Sequence, residues 1–216
     1  LAPALACGNT CVLKPAETTP LTALRLAELF RDCDFPPGVV NIVTGGPEAG
    51  KAIAQHEGFD KIAFTGSTEV GRGIVKGCAG RPVRLTMELG GKGAQLIFAD
   101  AAIDQAVESA VLGIFYNQGQ VCCAGSRLLV EESIADIFQA KLLHRMASLR
   151  MGDPMDKNTD IGAINSAAQL KRIAGYVKIA RNEGAVVHEC GVGEIPKKGF
   201  WCKPTALGGV QPAHVV

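Results

Sequence analysis

Short apolar runs alternate with helical patterns along the first part of the chain. Between two such runs, Ala23, Leu26, Ala27 and Phe30 recur at the i, i+3, i+4, i+7 spacing of one buried helical face. This alternation predicts a parallel β-sheet with helices on its faces. The runs that predict strands are Cys11–Lys14, Val39–Val43, Lys61–Thr65 and Val83–Glu88.

The second part of the chain repeats the same alternation. The glycines at 90 and 91 mark a boundary, so we predict one α/β unit over residues 1–91 and another over residues 92–216. Its predicted strands are Gln95–Phe98 and Arg127–Val130, and its predicted helices are Ile103–Tyr116, Ser133–Arg150 and Ala167–Glu183.

Three residues are predicted to delimit helices. Thr19 is expected to cap the first long helix, with Pro20 at its first position, because proline is tolerated where no intrahelical N–H is needed. Gly184 is expected to close the last helix, since glycine adopts the left-handed conformation that ends helices.

Composition and charge narrow the class of protein. Of 216 residues, 47% are hydrophobic and 20% charged, which is typical of a globular chain with one large or two small domains. With a net charge of only +1, the chain has no overall electrostatic attraction for nucleic acid or for an acidic membrane, so neither is expected as a partner. The longest uncharged run, residues 109–126, contains three side-chain amides and several glycines, so it fits a buried helix entering a loop better than a membrane span.

Eight cysteines and four histidines are scattered along the chain, and no C-x-x-C pair occurs. This spacing argues against a zinc site, and we expect no metal. Because the uncharged N-terminal residues lack the features of a secretory signal, we expect reduced thiols and a cytoplasmic location.

Residues Gly45 to Ala52 have the G-x-x-x-x-G-K spacing of a phosphate-binding P-loop. Ala52 stands where a Ser or Thr hydroxyl would hold Mg²⁺, and Pro47 removes a backbone N–H from the loop. An ordinary strand-to-helix turn is therefore the favoured interpretation over a P-loop nucleotide hydrolase.

Three further features carry both a structural and a chemical interpretation. The turn from Gly66 to Gly71 precedes a helix and could hold a pyrophosphate, although taken alone a capping turn explains it better. Cys122 and Cys123 follow an apolar helix in a polar loop, which favours a reactive thiol over a buried one. Glu88 lies at the end of an apolar strand, where its carboxylate is either simply solvated or acts as a general base.

Lys14 and Glu17 follow the first predicted strand. They lie either in a surface loop or at the carboxyl end of a parallel strand, where ligands of open α/β sheets bind. In that second position their side chains could reach a ribose or a phosphate.

Taken together, these segments resemble the NAD(P)-dependent aldehyde dehydrogenase superfamily over essentially the whole chain. The matching motifs occur in the family's order and at similar spacing. They are Lys14-Pro-Ala-Glu17, Phe64-Thr-Gly-Ser-Thr-Glu-Val-Gly71, Met87-Glu-Leu-Gly-Gly-Lys92, Gly119-Gln-Val-Cys-Cys-Ala-Gly125 and, more weakly, Gly199-Phe-Trp-Cys-Lys-Pro-Thr205. The resemblance implies a Rossmann-like parallel sheet of a cofactor domain followed by part of an α/β catalytic domain.

The resemblance also implies roles for individual residues. Cys122 matches the nucleophile, Glu88 the general base, and the backbone of Leu89 a nicotinamide contact. The Gly66, Ser67 and Gly71 positions match the cofactor pyrophosphate turn, and Lys14 and Glu17 match residues that face the adenosine ribose. Because Glu17 would repel a 2′-phosphate, NAD is favoured over NADP.

The implied function is oxidation of a small-molecule aldehyde to a carboxylic acid with NAD(P)⁺, through a cysteine thiohemiacetal and a thioester. Glu88 argues against the CoA-acylating relatives, which lack that base. The alternative is a non-catalytic structural or binding protein of the same fold.

Two family segments have no counterpart here: the oxyanion-hole asparagine and the Glu-Glu-Ile-Phe-Gly-Pro segment that contacts the nicotinamide ribose. We therefore expect the chain to be the middle of a longer, homo-oligomeric enzyme. Alone, it is expected to show little or no dehydrogenase activity, and robust NADH formation by these residues would contradict that expectation.

Overall fold

The computed structural model describes residues 1–193 and 195–216, and these form two compact units, residues 1–89 and 90–216. Both units combine helices with short strands, and three of the four strand pairs are parallel. The predicted α/β class is therefore confirmed.

The first unit contains two pairs of parallel strands. β1 (Cys11–Leu13) pairs with β2 (Val40–Ile42), and β3 (Lys61–Gly66) pairs with β4 (Arg84–Leu89). The two pairs are separate sheets, where the sequence predicts one. Among the described residues, no strand hydrogen-bonds to both pairs, so each pair forms its own two-stranded sheet. The helices of this unit are α1 (Ala2–Ala6), α2 (Leu21–Asp32), α3 (Pro47–Gln55) and α4 (Thr68–Gly77).

The second unit contains one parallel and one antiparallel pair of strands. β5 (Ala94–Ile97) pairs with β6 (Arg127–Val130), and β7 (Val186–Glu189) pairs with β8 (Thr205–Gly208). The long helices are α5 (Ile103–Phe115), α6 (Ala135–Ala147) and α7 (Ala167–Asn182). Among the residues that the structure describes, no helix is both long enough and apolar enough to cross a bilayer.

The helix ends confirm one cap prediction and correct another. The Gly184 N–H donates to Arg181 O at 3.3 Å, the Ala185 N–H donates to Ala180 O at 2.9 Å, and Gly184 has a φ of +91°. This geometry ends α7 as predicted. The prediction for Thr19 was wrong: α2 begins at Leu21 with Pro20 as its N-cap. The Pro20 carbonyl accepts the first helical hydrogen bond, from the Leu24 N–H at 3.0 Å. Pro20 is therefore the N-cap itself, one position before the first helical position predicted for it.

The core of the second unit lies where α5 and α6 pack over the β5–β6 pair. Ala110 and Met146 are fully buried, and Phe138 is 1% exposed. Ion pairs between α5 and α6 lie on the exposed rim, where each contributes at most about 1 kcal/mol, so apolar packing holds the helices together. The buried cluster consists of Ile97, Val107, Ala110, Val111, Phe138, Leu142, Met146, Leu149, Met151 and Ile161.

Truncating Phe138 tests this assignment of the core. We expect Phe138→Ala to lower the free energy of unfolding by about 3–5 kcal/mol, because the buried ring leaves a cavity. Its neighbour Ile137 is 50% exposed, so Ile137→Ala should cost far less. Urea denaturation followed by circular dichroism measures both, and equal losses would contradict the assigned core.

Candidate functional site

The two adjacent thiols lie in a loop that follows the C-terminal end of α5. We call residues 116–126 the cysteine loop. Asn117, Gln118 and Gly119 have φ angles of +48°, +56° and +72°, so three successive residues are left-handed. For the two non-glycine residues this conformation costs about 1–3 kcal/mol each. Surrounding contacts must therefore hold the loop in place.

Hydrogen bonds to the body of the unit anchor the C-terminal end of the loop. The Gly125 N–H donates to the Gly113 carbonyl at 3.1 Å, and the Gln95 side-chain amide donates to the Gly125 carbonyl at 2.8 Å. A Cβ placed on Gly125 would lie 2.4 Å from Gln95 Nε2, so only glycine allows this approach. The backbone that follows the thiols is thereby tied to both α5 and β5.

Cys122 and Cys123 are both exposed on this anchored loop. Within residues 1–193 and 195–216, the Cys122 backbone N–H donates no hydrogen bond. Gly91 runs beside the loop, since a Cβ on it would lie 3.6 Å from the Cys122 carbonyl. The loop thus exposes two adjacent thiols.

In the first unit, β3 and β4 bring several of the predicted residues together. The strand register places Thr65 opposite Glu88 and Gly66 opposite Leu89. Because the strands are parallel, both carboxyl ends lie at the same edge, directly before the N-terminus of α4. Glu88 is on the exposed face of β4, where its carboxylate is accessible to solvent.

The start of α4 offers the features of an anion site. Ser67 is the N-cap, and its Oγ accepts from the Val70 N–H at 3.2 Å, which leaves its own hydroxyl proton to donate. Other N–H groups of the first turn have no intrahelical acceptor. Gly71 is buried against Leu89, whose Cδ2 would lie 2.7 Å from a Cβ at that position. Gly71 therefore brings α4 close to the end of β4.

Lys14 and Glu17 form an ion pair after β1. Lys14 Nζ lies 3.1 Å from Glu17 Oε1 and also donates to the Pro15 carbonyl at 2.9 Å. A hydrogen bond from its own backbone N–H and, after it, the Lys14 ammonium hold the pKa of Glu17 below its usual range. Glu17 is thus a carboxylate at neutral pH.

The structure therefore gathers Gly66, Ser67, Gly71, Glu88 and Leu89 at one sheet edge of the first unit. Cys122 belongs to the second unit, and Lys14 and Glu17 follow a different strand pair. Among the described residues, no three His, Cys, Asp or Glu side chains are arranged to hold a metal ion.

Sequence reasoning missed the side chains that anchor the start of the cysteine loop. Gln120 Oε1 accepts from the Asn165 N–H at 3.1 Å, and the Gln118 amide faces Gly162. The sequence signal was two glutamines in the run Asn117-Gln-Gly-Gln120. Their partners lie more than forty residues away, where no pattern identifies them.

Two other thiols have a different environment from those of the loop. Burial raises the pKa of Cys190. Burial, followed by the nearby carboxylate of Glu189, raises the pKa of Cys202. A raised pKa leaves less thiolate at neutral pH, so both thiols should react slowly.

Removing the Glu189 charge tests whether that carboxylate raises the pKa of Cys202. We expect Glu189→Gln to lower the pKa of Cys202, because the carboxylate disfavours the thiolate, and to shift its alkylation profile to lower pH. Iodoacetamide labelling across a pH series, read by peptide mass spectrometry, measures the shift, with exposed Cys33 as an internal control. An unchanged Cys202 profile would contradict the electrostatic contribution.

Comparisons with known proteins identify the family of the chain. The model of the aldehyde dehydrogenase family matches residues 1–216. The chain is 50% identical over 219 residues to human mitochondrial aldehyde dehydrogenase, covering all of this chain and 42% of that protein. It is 49% identical over 213 residues to cytosolic aldehyde dehydrogenase 1 of Mus musculus, covering 97% of this chain and 42% of that protein.

A solved structure gives the same result. The NAD⁺ complex of the Bacillus cereus aldehyde dehydrogenase superposes with a TM-score of 0.93 at 42% identity, covering 98% of this chain and 43% of that one. The chain thus spans about 42% of the length of the curated relatives it matches. From its matched family model, its motifs and its fold, the chain belongs to the aldehyde dehydrogenase family.

Proposed function

We propose that the chain carries the nucleophile and the general base of an NAD-dependent aldehyde dehydrogenase, which oxidises aldehydes to carboxylic acids. The observation that carries this proposal is the exposure of Cys122 on a left-handed loop anchored to α5 and β5. Surface loops on a rigid scaffold are where reactive side chains are usually presented.

In the proposed reaction, the Cys122 thiolate attacks the aldehyde carbonyl carbon and forms a thiohemiacetal. The Cys122 backbone N–H donates to the oxyanion, a role that its lack of an acceptor within the described residues supports. Loss of a hydride from the former carbonyl carbon leaves a thioester on the Cys122 sulfur. NAD⁺, when bound, supplies the chemistry of accepting that hydride.

Glu88 then completes the cycle as the proposed general base. Its carboxylate takes a proton from water as the water oxygen attacks the thioester carbonyl, and the C–S bond breaks to release the carboxylic acid and the Cys122 thiolate. The protonated Glu88 then returns its proton to solvent. The exposed position of Glu88 at the end of β4 supports access to water.

The residues at the β3–β4 edge fit a dinucleotide. The α4 N-terminus and the Ser67 hydroxyl suit a pyrophosphate, and Gly71 allows Leu89 to pack closely at the same edge. Lys14 and Glu17 would contact the adenosine ribose, where the negative charge of Glu17 favours NAD over NADP. That an NAD⁺ complex of a family member superposes on this chain supports the same cofactor.

The wider setting of the enzyme is also a proposal. We infer a small-molecule aldehyde as substrate, assembly as a homo-oligomer and a cytoplasmic location. The matched relatives include one named mitochondrial and one named cytosolic. The eight free thiols support a reducing compartment, because disulfides persist mainly where conditions are oxidising.

Replacing the nucleophile in a complete enzyme tests the proposal. In a chimera, residues 1–216 replace the matching segment of human mitochondrial aldehyde dehydrogenase, and NADH formation is followed by absorbance. We expect Cys122→Ala to lower kcat by at least about 10³-fold, because no covalent intermediate can form.

Cys123→Ala is the matched control and should retain activity within a few fold. A Cys122→Ala chimera as active as its parent would contradict the assignment. If the unmutated chimera folds and binds NAD⁺ but oxidises no aldehyde, the non-catalytic alternative is favoured.

Replacing the base separates the two half-reactions. In the same chimera, Glu88→Gln should preserve a first-turnover burst of NADH but slow steady-state turnover by about 10²–10⁴-fold, since only thioester hydrolysis needs the base. Stopped-flow fluorescence measures the burst. Glu57→Gln, at an exposed residue after α3, is the control and should leave both phases unchanged. Equal loss of burst and turnover would contradict a role in hydrolysis.

A further inference from the structure

Two side-chain amides at the start of the cysteine loop reach the same backbone segment. Gln120 Oε1 accepts from the Asn165 N–H at 3.1 Å. The Gln118 side-chain amide is oriented so that it bonds to two backbone groups. Its oxygen accepts from the Gly162 N–H at 2.8 Å, and its nitrogen donates to the Asn117 carbonyl at 3.2 Å. We call these contacts the amide clamp. Gln118 and Gln120 are thus both held by the backbone of residues 162–165, which we call the support segment.

That support is itself fixed in the core of the unit. Ile161 and Ile164 are 3% and 5% exposed. The Ile161 N–H donates to the Arg150 carbonyl at 3.0 Å, and the Ile164 N–H donates to the Phe200 carbonyl at 2.7 Å. Because buried side chains and backbone bonds hold the segment on both sides, it provides a rigid base for the loop.

The approach of Gln118 depends on a bare backbone. A Cβ on Gly162 would lie 3.1 Å from the end of the Gln118 side-chain amide that faces it, which is closer than side-chain carbons normally come. A third contact within the loop, from Asn117 Nδ2 to the Gln120 carbonyl at 3.3 Å, closes the left-handed turn. The clamp therefore acts on the strained residues that lead directly into Cys122.

We propose that Gln118 and Gln120 are positioning residues that fix the backbone entering Cys122 through the Gly162 and Asn165 N–H groups. They touch no reacting atom; they hold the left-handed residues that precede Cys122. The proposal rests on the proposed function only in taking Cys122 as the nucleophile, because the clamp is a structural feature in its own right.

Hydrogen exchange on the 216-residue chain tests the clamp directly. Gln120→Leu removes the acceptor, so the Asn165 amide should exchange about threefold to tenfold faster, as expected for the loss of one hydrogen bond. Gln120→Glu keeps an acceptor oxygen and should retain protection. Gln105→Leu, at an exposed glutamine of α5, is the matched control and should change nothing.

Thiol selectivity gives a readout that a general loss of stability would not move. With limiting iodoacetamide, the ratio of Cys122 to Cys123 alkylation should fall toward one in Gln120→Leu and be kept in Gln120→Glu. If Gln120→Leu fails to fold, Gly162→Ala, which displaces the Gln118 amide, should lower the same ratio. Wild-type protection and selectivity in a folded Gln120→Leu variant would overturn the proposal.

The alkylation and exchange data also distinguish a failure of the positioning proposal from a failure of the proposal that Cys122 is the nucleophile. Equal alkylation of Cys122 and Cys123 in the wild-type chain, with faster Asn165 exchange in Gln120→Leu, would contradict the nucleophile and support the clamp. A selective wild type whose selectivity survives in Gln120→Leu would contradict the positioning role of Gln120 and support the nucleophile.

Discussion

The burial of α5 is the constraint on which the cysteine loop depends. Ala110 is fully buried beneath α6, and Val107 and Val111 are each 4% exposed, so the helix can neither rotate nor slide without leaving cavities. Its last residue, Phe115, therefore has a fixed position, and the loop must turn from there toward β6. The left-handed residues Asn117 to Gly119 make that turn within a few positions.

The strain of this turn is offset by contacts from three sides. Gln95 of β5 holds the end of the loop, the Gly113 carbonyl of α5 accepts from Gly125, and the support beside Gly162 and Asn165 holds its start. Strain that persists because its surroundings fix it is typical of functional sites. The loop thus combines exposed thiols with a backbone of limited freedom, which suits a nucleophile that must meet a carbonyl carbon in one orientation.

The parts predicted well from sequence are those with local causes. The β3–α4–β4 segment follows from an apolar run, a capping serine and a glycine, and Gly184 ends α7 because its φ is positive. The strands β7 and β8 were missed, because Val186–Glu189 mixes apolar and polar residues and gains its pairing only from Thr205–Gly208. The support of Gln120 was missed for the same reason, since Asn165 is distant in sequence. Contacts between residues that are distant in sequence leave no periodic pattern along the chain from which they could be predicted.

The most direct test of the account is the relative reactivity of the eight cysteines in the wild-type chain. Limiting iodoacetamide near neutral pH, with each thiol quantified by peptide mass spectrometry, compares them under identical conditions. We predict that Cys122 is alkylated first, ahead of its neighbour Cys123 and far ahead of Cys190 and Cys202, whose pKa values are raised by burial. Alkylation of Cys122 no faster than that of the other exposed thiols would contradict the claim that the loop presents a nucleophile.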